Sequence, residues 1–226
     1  MAAVSADLVA KAASRRIVFA HQSVGANILD GVRALANEQG AQMNIVETRD
    51  PAPAPGLYHF MVGANEDPRG KIADFRAALS AMSNPPEAAV LKLCYVDFKA
   101  DTDGAALARE YAAALAELGV AMPQTRFIAA TSPLTTLPTG PKEILKSLIG
   151  RRSPAPAENA ARLAFNQVLR ARYQPANLLD IAKLEAGALG EGGVEYLRPS
   201  LTYDGGHLNA AGQRLVAAEF LTRIAG

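Results

Sequence analysis

The sequence reads as a three-layer α/β/α protein, with helices on both faces of a central parallel sheet of about five strands. Two observations carry this reading. Apolar runs of strand length alternate with amphipathic runs of helix length from residue 17 to residue 224. Strands separated by helices form βαβ units with parallel neighbours. In addition, half of the 226 residues are apolar and a fifth are charged. That composition fills one large core and excludes an intrinsically disordered chain. A single domain, 1–226, is expected, with residues 1–14 as an N-terminal extension.

The elements follow in order. Residues 17–20 are a short apolar strand after Arg15-Arg16. Residues 26–37 carry Ile28, Val32 and Leu35 at helical spacing, and Gly40 is their stop. Residues 43–46 read as a second strand. Residues 50–56, with proline at every second position, can be neither helix nor inner strand. Residues 57–62 are a short apolar stretch, and 71–82 a helix that ends before Asn84-Pro85-Pro86. Residues 88–95 (Ala-Ala-Val-Leu-Lys-Leu-Cys-Tyr) are the strongest strand candidate. Residues 105–118 form a helix, with Leu107, Tyr111, Leu115 and Leu118 on one face and Gly119 as its stop. Residues 125–130 are the next strand. A Pro-rich segment, 132–157, is a candidate lid or substrate loop around a short helix at 143–149. Residues 158–173 are helical, 177–181 a short strand, and 210–224 the final helix.

Composition also removes several function classes. The charge sum is 23 basic minus 22 acidic residues, or +1, so nothing favours nucleic acid or an anionic membrane surface. The single cysteine, Cys94, excludes an intramolecular disulfide framework and a CxxC zinc site. No stretch approaches the roughly 18 continuous apolar residues of a membrane span. No cofactor or metal is expected. The D-x-D-G fragment among Asp97, Asp101 and Asp103 lacks the full loop pattern of a calcium site. The N-terminus lacks a basic stretch before an apolar core, so no signal peptide is read. The expected compartment is the cytoplasm, or the periplasm or exterior if a leader has been removed. Oligomeric state is not legible.

In open parallel sheets, ligands bind beyond the carboxyl ends of the strands, so those ends are searched for chemistry. The first strand runs into His21-Gln22-Ser23-Val24-Gly25 and then a helix. Free N–H groups at a helix start favour negative charge. A serine there can be a nucleophile whose own N–H contributes to an oxyanion hole. The plainer reading of Ser23 is a helix cap. The segment Tyr203-Asp204-Gly205-Gly206-His207 shifts the balance. Asp and His three residues apart across two glycines can fold carboxylate to imidazole, leaving the second ring nitrogen free as a base. The chain has three histidines, His21, His59 and His207, and His207 stands in this D-x-x-H just before the last helix.

A nucleophile block after the first strand and a D-x-x-H block before the last helix resemble the SGNH/GDSL hydrolase superfamily, over roughly residues 15–224. The chain is similar to a divergent branch with HxSVG in place of GDS. The resemblance implies a flavodoxin-like α/β/α fold and ester hydrolysis through an acyl-serine. It carries the nucleophile to Ser23, the acid to Asp204 and the base to His207. It also implies a glycine N–H in the oxyanion hole, for which Gly63 in Val62-Gly63-Ala64-Asn65 is the candidate. The family's G-x-N-D block is here Cys94-Tyr95-Val96-Asp97, without asparagine. An ionised Asp97 cannot donate to an oxyanion and would repel it. Asn65 is expected to supply the missing amide.

Other polar residues carry less. His21 is too close in sequence to Ser23 to act as its base, and can orient the turn or line the pocket. His59 reads as a packing residue and Cys94 as a small buried hydrophobe. Asn159, Arg162 and Asn166 share a helix face that reads as solvated rather than as a substrate contact. The expected function is a metal-independent serine esterase acting on small acyl esters, with an acetyl group on a carbohydrate as one candidate. The alternatives are an O-acyltransferase built on the same Ser-His-Asp residues and a non-catalytic binding module of the same fold.

Overall fold

A computed structural model describes residues 4–138 and 153–226. The expected helix at 143–149, and with it the middle of the Pro-rich segment, lies outside the described residues. The strands are β1 (Arg16–His21), β2 (Ile45–Glu47), β3 (Gly56–Met61), β4 (Ala88–Leu91), β5 (Arg126–Ala130) and β6 (Leu178–Leu179). They form one six-stranded sheet in the order β2-β3-β1-β4-β5-β6, parallel throughout. The α/β architecture is therefore as the sequence predicts, with one strand more. The extra strand is the apolar stretch after the prolines, which pairs residue for residue with β1 from Arg16↔Gly56 to His21↔Met61.

The helices are α1 (Ala6–Ala13), α2 (Ser23–Glu38), α3 (Pro68–Ala81), α4 (Gly104–Ala121), α5 (Ala155–Arg172), α6 (Ile181–Glu185) and α7 (Ala210–Ala225). β1 explains why the strands read as unbroken apolar runs: both of its faces are covered. Ile17 and Phe19 join the core under α1, α2 and α7, with Ile28, Val216 and Phe220. Val18 and Ala20 join the core under α3, α4 and α5, with Phe75, Tyr111 and Phe165.

Three features differ from the sequence reading. Within the expected N-terminal extension, residues 6–13 form a packed helix: Ser5 accepts the Leu8 N–H at 3.2 Å and caps α1, which buries Val9 and Ala12. β4 stops at Leu91 rather than Tyr95. There the Asp97 carboxylate takes the Cys94 N–H at 2.7 Å, so the chain turns out of the sheet into a short 3-10 turn, Tyr95–Asp97. Finally, an antiparallel hairpin, β7 (Ala186–Leu189) and β8 (Glu195–Leu197), follows α6. It is tied to the loop after β5 by the Leu197 N–H on the Thr135 carbonyl at 3.1 Å.

α2 and α7 carry the segments singled out for chemistry, because α2 begins at Ser23 and α7 begins three residues after His207. They approach closely at Gly31, where a Cβ would lie 2.3 Å from the Gln213 carbonyl oxygen. A backbone oxygen cannot rotate away, so a methyl group here must push the helices apart. Gly31→Ala is expected to cost about 1–3 kcal/mol of stability, measured by chemical denaturation. An unchanged midpoint would mean that the helices separate freely.

Candidate active site

The first strand ends at His21, and the chain enters α2 with Gln22 as N-cap. Ser23 is the first helical residue, so its hydroxyl is not the cap. It lies 2.9 Å from His207 Nε2 instead. The Ser23 and Val24 N–H groups have no acceptor among the described residues. The Gln22 side chain does not cap the helix either. Its Nε2 donates to the carbonyls of Val62 at 2.8 Å and Gly63 at 3.0 Å, tying the loop after β3 to the Ser23 turn.

The Asp204–His207 segment folds as its glycines allow. Gly205 takes φ +94°, a left-handed conformation that a side chain would oppose. The turn returns the carboxylate onto its own segment. Asp204 Oδ1 accepts the N–H groups of Gly206 at 2.9 Å and His207 at 2.7 Å, and Oδ2 lies 2.6 Å from His207 Nδ1. Burial alone would raise the Asp204 pKa. The His207 backbone N–H, the imidazole and the Gly206 N–H together outweigh it and hold the carboxyl at about 2. The Leu208 N–H donates to Asn27 Oδ1 of α2 at 3.1 Å, which clasps this segment to the serine's helix. Two aromatic rings flank the imidazole: Tyr95 edge-on at 5.7 Å and Tyr203 stacked at 5.9 Å. Burial pushes the Tyr95 phenol up to about 12. The Tyr203 ring is largely exposed.

Ser23, His207 and Asp204 thus meet in one hydrogen-bonded chain, although the serine and the histidine lie 184 positions apart in the sequence. The two other expected residues fare differently. The Gly63 N–H, expected in an oxyanion hole, is already donated to Asp74 Oδ2 at 2.7 Å. Arg49 grips the same carboxylate through Nη1 and Nη2, each at 2.8 Å, and this hydrogen bonding holds Asp74 below the usual carboxylate range. The Gly63 N–H is therefore not free, and the expectation is corrected. Asn65 is exposed on the same loop, and its Oδ1 accepts from Lys71 Nζ at 3.2 Å.

Asp97, at the position where the family motif carries acid after asparagine, faces inward. It receives Lys71 Nζ at 2.7 and 2.8 Å, the Cys94 N–H, and the Glu66 N–H at 3.0 Å. Four donor contacts leave it no free lone pair toward a substrate. Lys71 and Asp97 are both fully buried.

The polar face of α5 is also buried, against the expectation of a solvated one. Asn159, Arg162 and Asn166 are at most 1% exposed. Arg162 donates to the Tyr95 carbonyl from Nε at 3.1 Å and Nη2 at 2.9 Å, and to Thr135 Oγ1 at 3.0 Å. Asn166 spans the Ser132 N–H and carbonyl. These side chains hold the loops after β4 and β5 from beneath. The one sequence signal was that Arg162 and Asn166 directly follow Ala161 and Phe165, so they border the helix's apolar stripe.

Sequence reading missed two further buried groups. Glu185 accepts the Leu134 N–H at 2.8 Å, and burial pushes its carboxyl up to about 8. Burial lowers the Lys92 ammonium pKa, and its Nζ donates to the Leu93 carbonyl at 3.2 Å. Among the described residues, no three His, Cys, Asp or Glu side chains converge as metal ligands, and no helix is long and apolar enough to cross a membrane.

His21 and His59 form a buried pair, Nε2 to Nδ1 at 3.2 Å, and His21 Nδ1 lies 2.8 Å from the Gln22 carbonyl. That carbonyl also accepts the Gly25 N–H, so His21 braces the first turn of α2. The imidazole donates from Nδ1 and accepts at Nε2, which the neutral ring allows. Burial lowers its pKa from 6.5 to about 4. The unfolded chain therefore takes a proton before the folded one does. This contribution to stability is complete above pH 6.5 and is lost as pH falls toward 4. The loss is up to about 3 kcal/mol. His21→Phe is expected to flatten the dependence of the denaturation midpoint between pH 7 and pH 4.5. An equal slope in both proteins would show that His21 takes its proton as readily folded as unfolded.

No protein-family profile and no curated relative matches the chain. Solved structures do. One is described as a "putative lipolytic protein of G-D-S-L family" from Desulfitobacterium hafniense DCB-2. It is 11% identical, with a TM-score of 0.51 over 92% of this chain and 99% of that one. Another, a "putative platelet activating factor" from Streptococcus pneumonia, is 14% identical, with a TM-score of 0.46 over 86% of this chain and 90% of that one. The fold is SGNH/GDSL hydrolase-like.

Proposed function

We propose that this chain is a serine esterase that cleaves small acyl esters through an acyl-Ser23 intermediate. The observation that carries the reading is the continuous Ser23–His207–Asp204 hydrogen-bonded chain at the carboxyl end of β1. A carboxylate held at about 2 stays ionised at any ordinary pH. It fixes the proton on His207 Nδ1 and leaves Nε2 to accept one from the serine.

In the first half-reaction, Ser23 Oγ bonds to the ester carbonyl carbon as its proton passes to His207 Nε2. The carbonyl electron pair moves onto oxygen. Collapse of that tetrahedral species breaks the bond to the alcohol, whose oxygen takes the proton from Nε2. Water then attacks the acyl carbon, gives its proton to Nε2, and the proton returns to Ser23 Oγ as the acid leaves. Ester and water become acid and alcohol, and the enzyme is restored. The Ser23 N–H and the Asn65 side-chain amide are the proposed oxyanion donors, with the positive end of α2 adding its field. Gly63 has no part in this, since its N–H is held by Asp74.

The largely exposed Tyr203 ring and the edge of Tyr95 offer a flat, uncharged surface for the alcohol side of the substrate. A sugar, as in an acetylated carbohydrate, is one alcohol that such a surface suits. The test is labelling with a fluorophosphonate, followed by peptide mapping. One adduct on Ser23, absent from Ser23→Ala, is expected. Hydrolysis of p-nitrophenyl acetate should fall about 10²- to 10⁴-fold in His207→Ala. His207→Ala combined with Asp204→Asn should lose little more, because the residues act as a unit. Losses that multiply would break that unit. An ester product with an added alcohol, outpacing hydrolysis, would make the chain an acyltransferase. An adduct on no residue and no turnover would leave a binding module.

A further inference from the structure

The Asn65 amide is oriented by its neighbour. We infer that Lys71, held by Asp97, is the positioning residue that turns the Asn65 amide NH2 toward the oxyanion formed on Ser23; this rests on the esterase reading above. An ammonium carries donors only, so the atom of Asn65 that faces it must be Oδ1. The geometry agrees, with Lys71 Nζ 3.2 Å from Asn65 Oδ1. An amide is planar, so fixing its oxygen inward sends one N–H of Nδ2 antiparallel to the C=O bond, away from Lys71.

Lys71 cannot swing elsewhere. It is fully buried, and both Asp97 oxygens receive it at 2.7 and 2.8 Å. The backbone on either side of Asn65 is pinned as well. Before it, the Gly63 carbonyl accepts from Gln22, the residue next to Ser23. After it, Glu66 stands at φ +68°, a conformation a non-glycine residue rarely adopts. The Glu66 N–H on Asp97 at 3.0 Å holds it there. Strained backbone persists where surrounding contacts over-determine it, and it gathers at functional sites. One buried carboxylate thus fixes both the lysine that orients the amide and the loop that carries it. Val96 stands where the family motif has its asparagine, and the acid that follows, Asp97, anchors the loop of another asparagine.

The test is a double-mutant cycle on p-nitrophenyl acetate hydrolysis, with Asn65→Ala, Lys71→Met and both together. Asn65→Ala is expected to lower kcat about 100-fold, the usual effect of one oxyanion donor, with KM nearly unchanged. Lys71→Met should lower kcat to a similar degree in the wild-type background and less than about threefold once Asn65 is gone. A lysine that only supported the fold would impose its full loss in both backgrounds, and that result overturns the assignment. So does a wild-type kcat in Asn65→Ala.

Removing Lys71 leaves a buried carboxylate unpaired and can unfold the protein. Asn65→Asp, on the exposed loop, answers the question without touching Lys71. The introduced carboxyl carbon, followed by 13C NMR, should titrate at least one unit below the ordinary 3.9 if Lys71 faces it. Titration at the ordinary value overturns the contact. A wild-type chain that neither hydrolyses the ester nor reacts with the fluorophosphonate overturns the esterase reading. An active wild type with multiplying losses overturns the role of Lys71 alone.

Discussion

The close packing of α2 on α7 is the constraint on which the site depends. Ser23 opens one helix and His207 stands three residues ahead of the other, so the 2.9 Å contact between them records how those helices meet. Gly31 permits the approach by presenting no side chain to the Gln213 carbonyl. Asn27 then reaches across to the Leu208 N–H and sets the height of the histidine segment along α2. The hydrophobic core between these helices is non-directional and would tolerate sliding. The hydrogen bond and the missing Cβ are directional, and they select one alignment.

A second layer of order lies beneath the strand ends, and it is polar. Arg162 holds the Tyr95 carbonyl, Asn166 spans the backbone of Ser132, Glu185 takes the Leu134 N–H, and Asp97 gathers Cys94, Glu66 and Lys71. Loops carry backbone groups that no ladder satisfies, and when loops are buried those groups need partners. Side chains from α5, α6 and the Tyr95–Asp97 turn provide them here. Burying charge for this purpose is costly, and losing one partner of a buried pair costs about 3–5 kcal/mol. Such networks hold loops in one geometry rather than adding net stability.

The departure of Cys94-Tyr95-Val96-Asp97 from the family pattern acquires a physical meaning in this setting. A carboxylate facing the substrate would oppose an oxyanion. Turned inward onto a lysine and two backbone N–H groups, it organises the loop that carries Asn65. Gly63 shows the complementary change, since its N–H belongs to Asp74 and Arg49 grips that same carboxylate. The polar groups of both loops are thus committed to partners within the chain.

The sequence by itself determined what depends on local pattern. Alternating apolar runs made the α/β class legible, because strand and helix periodicity are local properties. The D-x-x-H turn was legible because two glycines and a capping carboxylate act within four residues. The sixth strand was blurred by the prolines ahead of it, and α1 by its position at the chain start. Only the tertiary structure decided that the Asn159–Arg162–Asn166 face is buried, that Asp97 meets Lys71, and that the Gly63 N–H belongs to Asp74. Each of these joins residues from separate elements. Helical spacing says which side chains share a face, but whether that face meets water or a loop depends on what packs over it. The meeting of Ser23 with His207 is of the same kind: their types and flanks are in the sequence, and their distance is set by two helices packing side by side on one face of the sheet.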